Sequence, residues 1–554
     1  MSNLKQFFSS QSEKLNSTIK RFYLPFGLTI ALFLVFACRT LLDFNKDLLN
    51  IFPKIVCLLG FGIVTCILAK ILYERYFRGK CSKFVLEGAA LVLSAIPFAL
   101  LLIYGYNPLL LLGLGGILIS QIILIFYFSR TDSMSETFSY LFKSILFNLF
   151  ACAIIFGGLS ICILAFTSLI YNFKDAYKAH LILGQFVGTV LFGTMFLSGI
   201  PKAGQKITIP KVFVVIVSKI MLPVYVLLLS ILYVYLGKIF FTWTFPAGWV
   251  NLFVSFSSLL FVFFAFSLSR YKKENKVIRL FLKFGGLAII PTIAMQFVAI
   301  YIRISNYGLT SLRYASIALN IFALIFAIVF SLRPKKSLKN TPLMLAALVL
   351  LITVTPLNAV DIPMREQAGR LKRLLLNNNM LADNKITPNG GIALEEKNKI
   401  IDSFRYVSSN FKVSNYKPEF LNEELMNKPE KEIFGFERPY SYSSYEHSRI
   451  NFNYDYERLN VAEYSKVHMD YTFSVEGDEA VLARRDEKET VEGLYDYLKA
   501  LHSRYNELGK ETVTDEKIEY DFGNKKLIVP RISMYYDDKQ EFKISPYGSF
   551  YILE

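Results

Sequence analysis

The sequence predicts an all-α polytopic membrane bundle of about eleven transmembrane helices, followed by a soluble α+β domain. Three observations carry this. Apolar runs of about twenty residues, the length a bilayer core requires, recur between residues 22 and 360. The chain of 554 residues is 53% hydrophobic and 15% aromatic with a mean hydropathy of +0.40, too apolar for a soluble multidomain protein. The apolar pattern then stops at Val360, after which charged residues and short periodic segments take over.

Residues Met1 to Arg21 place Leu4, Phe7, Phe8, Leu15 and Ile19 at helical spacing among Ser, Gln and Lys, as a helix lying on the membrane surface does. The apolar runs cover 22–38, 55–73, 88–104, 108–128, 144–170, 181–200, 220–237, 249–268, 284–302, 314–332 and 342–360. The segment 207–219 is apolar, but Pro210, Lys211 and Lys219 make it an interfacial lead into the Ile220 span. Glu87 and Lys219 lie within a turn or two of helix ends and are expected to snorkel.

Charge sets the orientation. Lys and Arg number 24 in one set of alternate connections, counting residues 1–21, and 8 in the other, which places the N-terminus in the cytoplasm. An odd number of spans then puts 361–554 outside it. From Asp361 onward there are 28 Lys plus Arg against 35 Asp plus Glu, a balance of −7, whereas the rest holds 33 against 9, or +24. The positive excess thus belongs to membrane loops, and no nucleic-acid partner is expected. The bilayer itself is the first partner implied. The six cysteines all lie in or beside apolar spans, without disulfide or zinc spacing.

Beyond Val360, Met364–Asn377 and Glu395–Phe411 have amphipathic helical spacing. Ile450–Tyr456 alternates as a half-buried strand, and Thr490–Leu508 reads as a helix capped by Thr490, with Leu494, Leu498, Leu501 and Tyr505 on one face. Ile518–Phe522, a Gly523-Asn524 turn and Leu527–Val529 form a hairpin, and two short strands end the chain. The expected domains are a cytoplasmic N-terminus at 1–21, a transmembrane domain at 22–360 and an extracytoplasmic α+β domain at 361–554.

Chemistry-bearing residues gather around 220–332. Arg303 and Arg313 bracket the turn containing Tyr307; two guanidinium groups on a rigid turn are suited to a phosphate, a lipid head group or a carboxylate, or to docking the external domain. Trp243 and Trp249 with Tyr233 and Tyr235 sit at the depth of an interfacial aromatic belt. Asp43 and Asp47 occupy a first external loop, where a membrane transferase would place a catalytic carboxylate. Gly184 and Gly188 have the spacing of close helix packing. The four histidines are dispersed, with no metal-ligand spacing, and no phosphate-binding loop, nucleophile elbow or dinucleotide fingerprint occurs, so neither a cofactor nor a reaction is implied.

Leu222-Pro-Val-Tyr225, Ile231-Leu-Tyr233-Val-Tyr235, Pro246-Ala-Gly248-Trp249-Val250 and Ile300-Tyr-Ile-Arg303, followed by Tyr307-Gly-Leu-Thr310 and Arg313-Tyr314, stand in an order that resembles a family of polytopic bacterial membrane proteins, the domain of unknown function 4153. The resemblance centres on residues 200–335 and extends through Gln367, Arg370, Leu371 and Leu375. It implies a bacterial cell inner membrane setting and no catalytic residues. Three functions are expectations at this stage: handling or transport of a lipid-linked or anionic envelope component, a sensor or assembly scaffold binding a protein partner through 361–554, and a glycosyl- or phospho-transferase.

Overall fold

A computed structural model describes the chain except residues 1, 43–44, 132, 170–174, 203–204, 206, 243–248, 274, 438–449, 454–466, 469–471, 477–478, 485–486, 508–511, 515, 524, 537–541, 545–548 and 554. It divides into two compact units, Met1–Phe436 and Glu437–Glu554.

The first unit opens with α1 (Ser2–Arg21), whose last turn carries Lys20 and Arg21. Among the described residues, eleven helices are long and apolar enough to cross a membrane. They are α2 (Tyr23–Leu41), α3 (Lys46–Phe77), α4 (Lys83–Tyr104), α5 (Pro108–Phe128), α6 (Met134–Leu169), α7 (Ala176–Ser198) and α8 (Lys211–Thr242). α9 (Trp249–Leu268), α10 (Lys276–Tyr307), α11 (Ser311–Leu332) and α12 (Pro334–Thr353) complete them. Several helices outrun their apolar cores because backbone amides at the interface also require partners. Asparagines set three of the starts: Asn45, Asn107 and Asn275 accept from the backbone N–H of Leu48, Leu109 and Val277 at 2.9, 2.8 and 2.8 Å. The 207–219 lead continues into α8 through a wider turn at Ile216–Met221 that holds Lys219 exposed.

The principal core joins α8 to α11, with Tyr225, Phe261, Phe264, Ile289, Ile293, Phe326 and Phe330 buried together. Phe261 of α9 meets Phe326 and Phe330 of α11 at 5.8 and 5.7 Å between ring centres, as dispersion-driven packing between membrane helices favours. Gly286 permits the contact of α10 with α11, since a Cβ there would lie 2.3 Å from Ser331 Oγ and 2.9 Å from the Ala327 carbonyl.

After α12 the chain turns through Asn358 into α13 (Asp361–Asn377), then a two-stranded ribbon of β1 (Leu381–Ala382) and β2 (Lys385–Ile386), and α14 (Leu394–Phe411). Met364, Leu371, Leu375, Ile400, Phe404 and Phe434 form a separate buried cluster. α13 and α14 match the helices expected at Met364–Asn377 and Glu395–Phe411, with starts extended by three residues and one residue respectively.

In the second unit the long strand Lys525–Tyr536 pairs with Ile450–Asn453, Ile518–Phe522, Phe542–Ile544 and Ser549–Leu553. Pro530 falls in the register shift between Ile528 and Arg531, where a missing N–H is tolerated. The hairpin at Gly523 is as expected, and the φ of +59° there suits glycine. The helix expected from Thr490 starts instead at Leu494, because Thr490 pairs with Val481 in a three-stranded sheet and Gly493, at φ +76°, turns the chain before the helix. Leu494, Leu498, Leu501 and Tyr505 are buried as their shared face requires.

Candidate functional site

The α10–α11 turn is the most heavily engaged polar feature of the first unit. Gly308 ends α10 with φ +71°, leaving the carbonyls of the last turn and the N–H groups that open α11 in need of partners. α13 and α14 supply them. Gln367 Nε2 donates to the Tyr307 carbonyl at 3.0 Å and the Leu309 carbonyl at 3.2 Å. Glu366 Oε2 accepts from the Leu309 N–H at 2.7 Å. Arg370 donates through Nη1 to the Ile304 carbonyl at 3.4 Å and through Nη2 to the Asn306 carbonyl. From α14, the Tyr406 hydroxyl meets the Ser311 N–H at 3.2 Å and the Ser311 hydroxyl at 3.1 Å. Residues 366, 367 and 370 share one helical face, so one face of α13 reads the turn's backbone. Burial pulls the Arg370 guanidinium below its ordinary pKa while Glu366 and Asp402 counter it, and it stays charged at any physiological pH.

Of the residues singled out from sequence, Arg313 and Tyr307 join this turn and Arg303 stands beside it. Arg313 Nη1 donates to the Gly308 carbonyl, and its guanidinium lies 5.8 Å from the Tyr307 ring centre. Tyr314 ties the start of α11 to the Leu357 carbonyl at 2.7 Å. Arg303 is half-buried and has no hydrogen-bond or ion-pair partner among the described residues. The contacts that α13 and α14 make with this turn come from Glu366, Gln367, Arg370 and Tyr406.

The other sequence choices lie elsewhere. Tyr233 donates its hydroxyl to the Ala288 carbonyl at 2.7 Å, and the Tyr235 hydroxyl is buried without a hydrogen-bond partner among the described residues. Trp249 opens α9, and Trp243 and Asp43 lie outside the described residues. Asp47 is exposed in the first turn of α3, where a carboxylate meets the positive helix end. Glu87 does not snorkel: it is buried in α4 and accepts from the Tyr23 hydroxyl. Among the described residues no group of three or more His, Cys, Asp or Glu could hold a metal.

Two further polar networks lie in the first unit. Gln296 on α10, fully buried, donates to the Asn251 carbonyl at 3.0 Å and Ser255 Oγ at 2.8 Å, while Asn251 donates to Ser316 Oγ at 3.0 Å; these bonds join α9, α10 and α11. At the start of α13, Asp361 is 3% exposed and accepts from Asn358 Nδ2 at 2.9 Å, Ser414 Oγ at 2.6 Å, and the Asn415 N–H at 2.9 Å. Burial alone would raise its pKa, but the hydrogen bonds from Ser414, Asn358 and Asn415 outweigh it and hold the carboxyl below its ordinary value.

That sign fixes a prediction. A carboxylate whose pKa is depressed by folding contributes stability above the unfolded value, about 3.9, and loses it as pH falls through the folded value. Corrected for its intrinsic pH dependence, exchange of the Asn415 amide is expected to accelerate below about pH 4. In Asp361→Asn that additional acid step should vanish. An acid step of the same size in the variant would assign it to another group.

Comparison with known proteins supplies one match. The model of a family described as a domain of unknown function (DUF4153) matches residues 24–385, a span that runs from α2 through the turn and past Arg370. No curated protein and no solved structure matches the chain.

Proposed function

This chain belongs to the DUF4153 family, and from that premise we propose that it is a non-enzymatic membrane sensor or assembly scaffold, in which the region after α12 receives a protein partner and the α10–α11 pair answers. The observation that carries this is the engagement of a single membrane-helix turn by Glu366, Gln367, Arg370 and Tyr406. A partner that moves α13 must move the turn or break these bonds, so binding outside the spans is coupled to two spanning helices. The proposed setting is the bacterial cytoplasmic membrane with the N-terminus inside and residues 361–554 outside, supported by the 24-to-8 bias of Lys and Arg.

The test is affinity capture with the full chain and with a chain ending at Val360. The scaffold function expects a discrete partner retained by the full chain and lost on removal of 361–554, with the spans still inserted. Identical captures from both chains would contradict it.

Arg303 favours a second function, handling of an anionic envelope component. A half-buried guanidinium with no hydrogen-bond or ion-pair partner among the described residues, one turn before Tyr307, suits a lipid phosphate or a carboxylate. Arg303→Ala is expected to abolish that function with less than about 0.5 kcal/mol effect on stability. Full function in the variant would remove this alternative.

A further inference from the structure

At the end of α10 remote from its turn with α11, the chain carries a dense group of exposed cations. The short helical turn Ser269–Lys273 leaves α9, and Asn275 then caps the start of α10. We propose that this end, centred on Lys272, Lys273, Lys276, Arg279 and Lys283, binds the head group of an anionic phospholipid.

Local geometry gathers the charges. Arg279 donates through Nε to the Lys272 carbonyl and through Nη2 to the Lys273 carbonyl, both at 3.3 Å, which folds the 269–273 turn back over the first turns of α10. All five residues are exposed, and Lys272, Lys273, Lys276 and Lys283 have no hydrogen-bond or ion-pair partner among the described residues. Lys283 Nζ lies 4.9 Å from the Phe284 ring centre. Glu274 lies outside the described residues; counted at full charge, it leaves residues 272–283 with five cations against one acid, a balance of +4. Neighbouring segments do not offset it. Arg270 pairs with Glu136, Arg130 and Asp132 before α6 cancel in charge, and residues 333–339 add Arg333, Lys335, Lys336 and Lys339 with no acid. That connection follows the end of α11, where Ser331 lies against Gly286 of α10.

The apolar residues beside these cations select the partner. Lys276, Arg279 and Lys283 repeat at helical spacing, and Val277, Leu280 and Phe284, all exposed, repeat one residue further round the helix, continued by Leu287. A cationic stripe thus runs beside an apolar stripe on a spanning helix. Because the apolar stripe faces hydrocarbon, the cations next to it stand at head-group depth, where the first anion they meet is a lipid phosphate. A zwitterionic head group brings its own cation and leaves the positive balance in place. An anionic head group supplies the missing negative charge, with its acyl chains along Leu280, Phe284 and Leu287.

The experiment uses the full chain in mild detergent. Native mass spectrometry compares retention of phosphatidylglycerol with phosphatidylcholine in the parent and in Lys272→Gln/Lys273→Gln/Lys276→Gln. A second variant, Lys335→Gln/Lys336→Gln/Lys339→Gln, removes the same charge from the neighbouring connection. The parent is expected to prefer phosphatidylglycerol about twentyfold, the scale of two engaged cations at about fivefold each. The first variant should fall to within about twofold of parity, while the second keeps a preference of about tenfold or more. Should the first variant not fold, Lys276→Glu decides, since an acid is favourable at the start of a helix and reverses one charge of the stripe; the preference should drop severalfold. Parity in the parent would overturn the proposal, as would an unchanged preference in whichever of the 272–276 variants folds. An equal fall in both triple variants would overturn it too, by assigning the preference to total charge. Glycerol phosphate added in excess should leave lipid retention unchanged, and displacement of the lipid would assign the surface to a free anion instead.

Discussion

Gly308→Val is expected to detach α13 from the α10–α11 turn and to be the most damaging single substitution outside the apolar core. At φ +71° a β-branched residue is strained by roughly 1–2 kcal/mol, and the collision adds to that. A Cβ on residue 308 would lie 2.3 Å from Gln367 Nε2 and 2.6 Å from its Cδ, so the Gln367 side chain must leave. Its departure breaks the bonds to the Tyr307 and Leu309 carbonyls and strips partners from an amide that is 2% exposed. Leaving such a buried polar group unmatched costs about 1–3 kcal/mol. Limited trypsin digestion reads the outcome at Lys372 and Arg373 on α13: slow cleavage in the parent, rapid cleavage in the variant, with the spanning helices intact. Equal cleavage rates would show that the turn tolerates a side chain.

Arg370→Ala is expected to have the next largest effect, about 2–4 kcal/mol against the docked arrangement. The guanidinium is nearly buried and reaches two carbonyls of the last turn of α10, Ile304 and Asn306, so its loss leaves both acceptors and Glu366 without it. Arg370→Lys should recover little, because a single ammonium cannot span two carbonyls as a fork does. Arg313→Ala should cost less than Arg370→Ala, since its bond to the Gly308 carbonyl lies within the turn itself. The order Arg370, Arg313, Arg303 in thermal stability checks the assignment, and a reversed order would move the anchor to the residues first suspected from sequence.

The membrane architecture was legible because hydrophobic length is a local signal. Eleven apolar runs gave eleven candidate spanning helices; the 207–219 lead, which Pro210, Lys211 and Lys219 marked as interfacial, is from Lys211 continuous with the Ile220 span in one helix, Lys211–Thr242. The hairpin at Gly523 was legible for the same reason, as a turn residue between alternating runs. The start of the helix at Leu494 was not, because Thr490 satisfies a capping pattern equally well in a strand, and only pairing with Val481 decides between them.

At the turn, Arg303, Tyr307 and Arg313 were visible because charges beside apolar runs are conspicuous. Glu366, Gln367 and Tyr406 look like ordinary residues of amphipathic helices, and their role depends on a contact about sixty residues or more away in sequence. The available signal was the family resemblance, which extended past the last span through Gln367 and Arg370. Those two residues hold the turn. Glu87 misled in the opposite sense, since nearness to a helix end suggested snorkelling while Tyr23 from α2 closes over its carboxylate.

The clamp on the turn is tested most directly at the Leu309 amide, whose N–H donates to Glu366 Oε2 at 2.7 Å. Hydrogen exchange of this amide in the full chain in lipid nanodiscs should be slow in the parent and accelerate by one to two orders of magnitude in Glu366→Ala, for about 1.5–3 kcal/mol in a hydrogen bond to a charged group. Equal exchange rates at Leu309 in parent and variant would contradict the clamp and, with it, the coupling proposed for this protein.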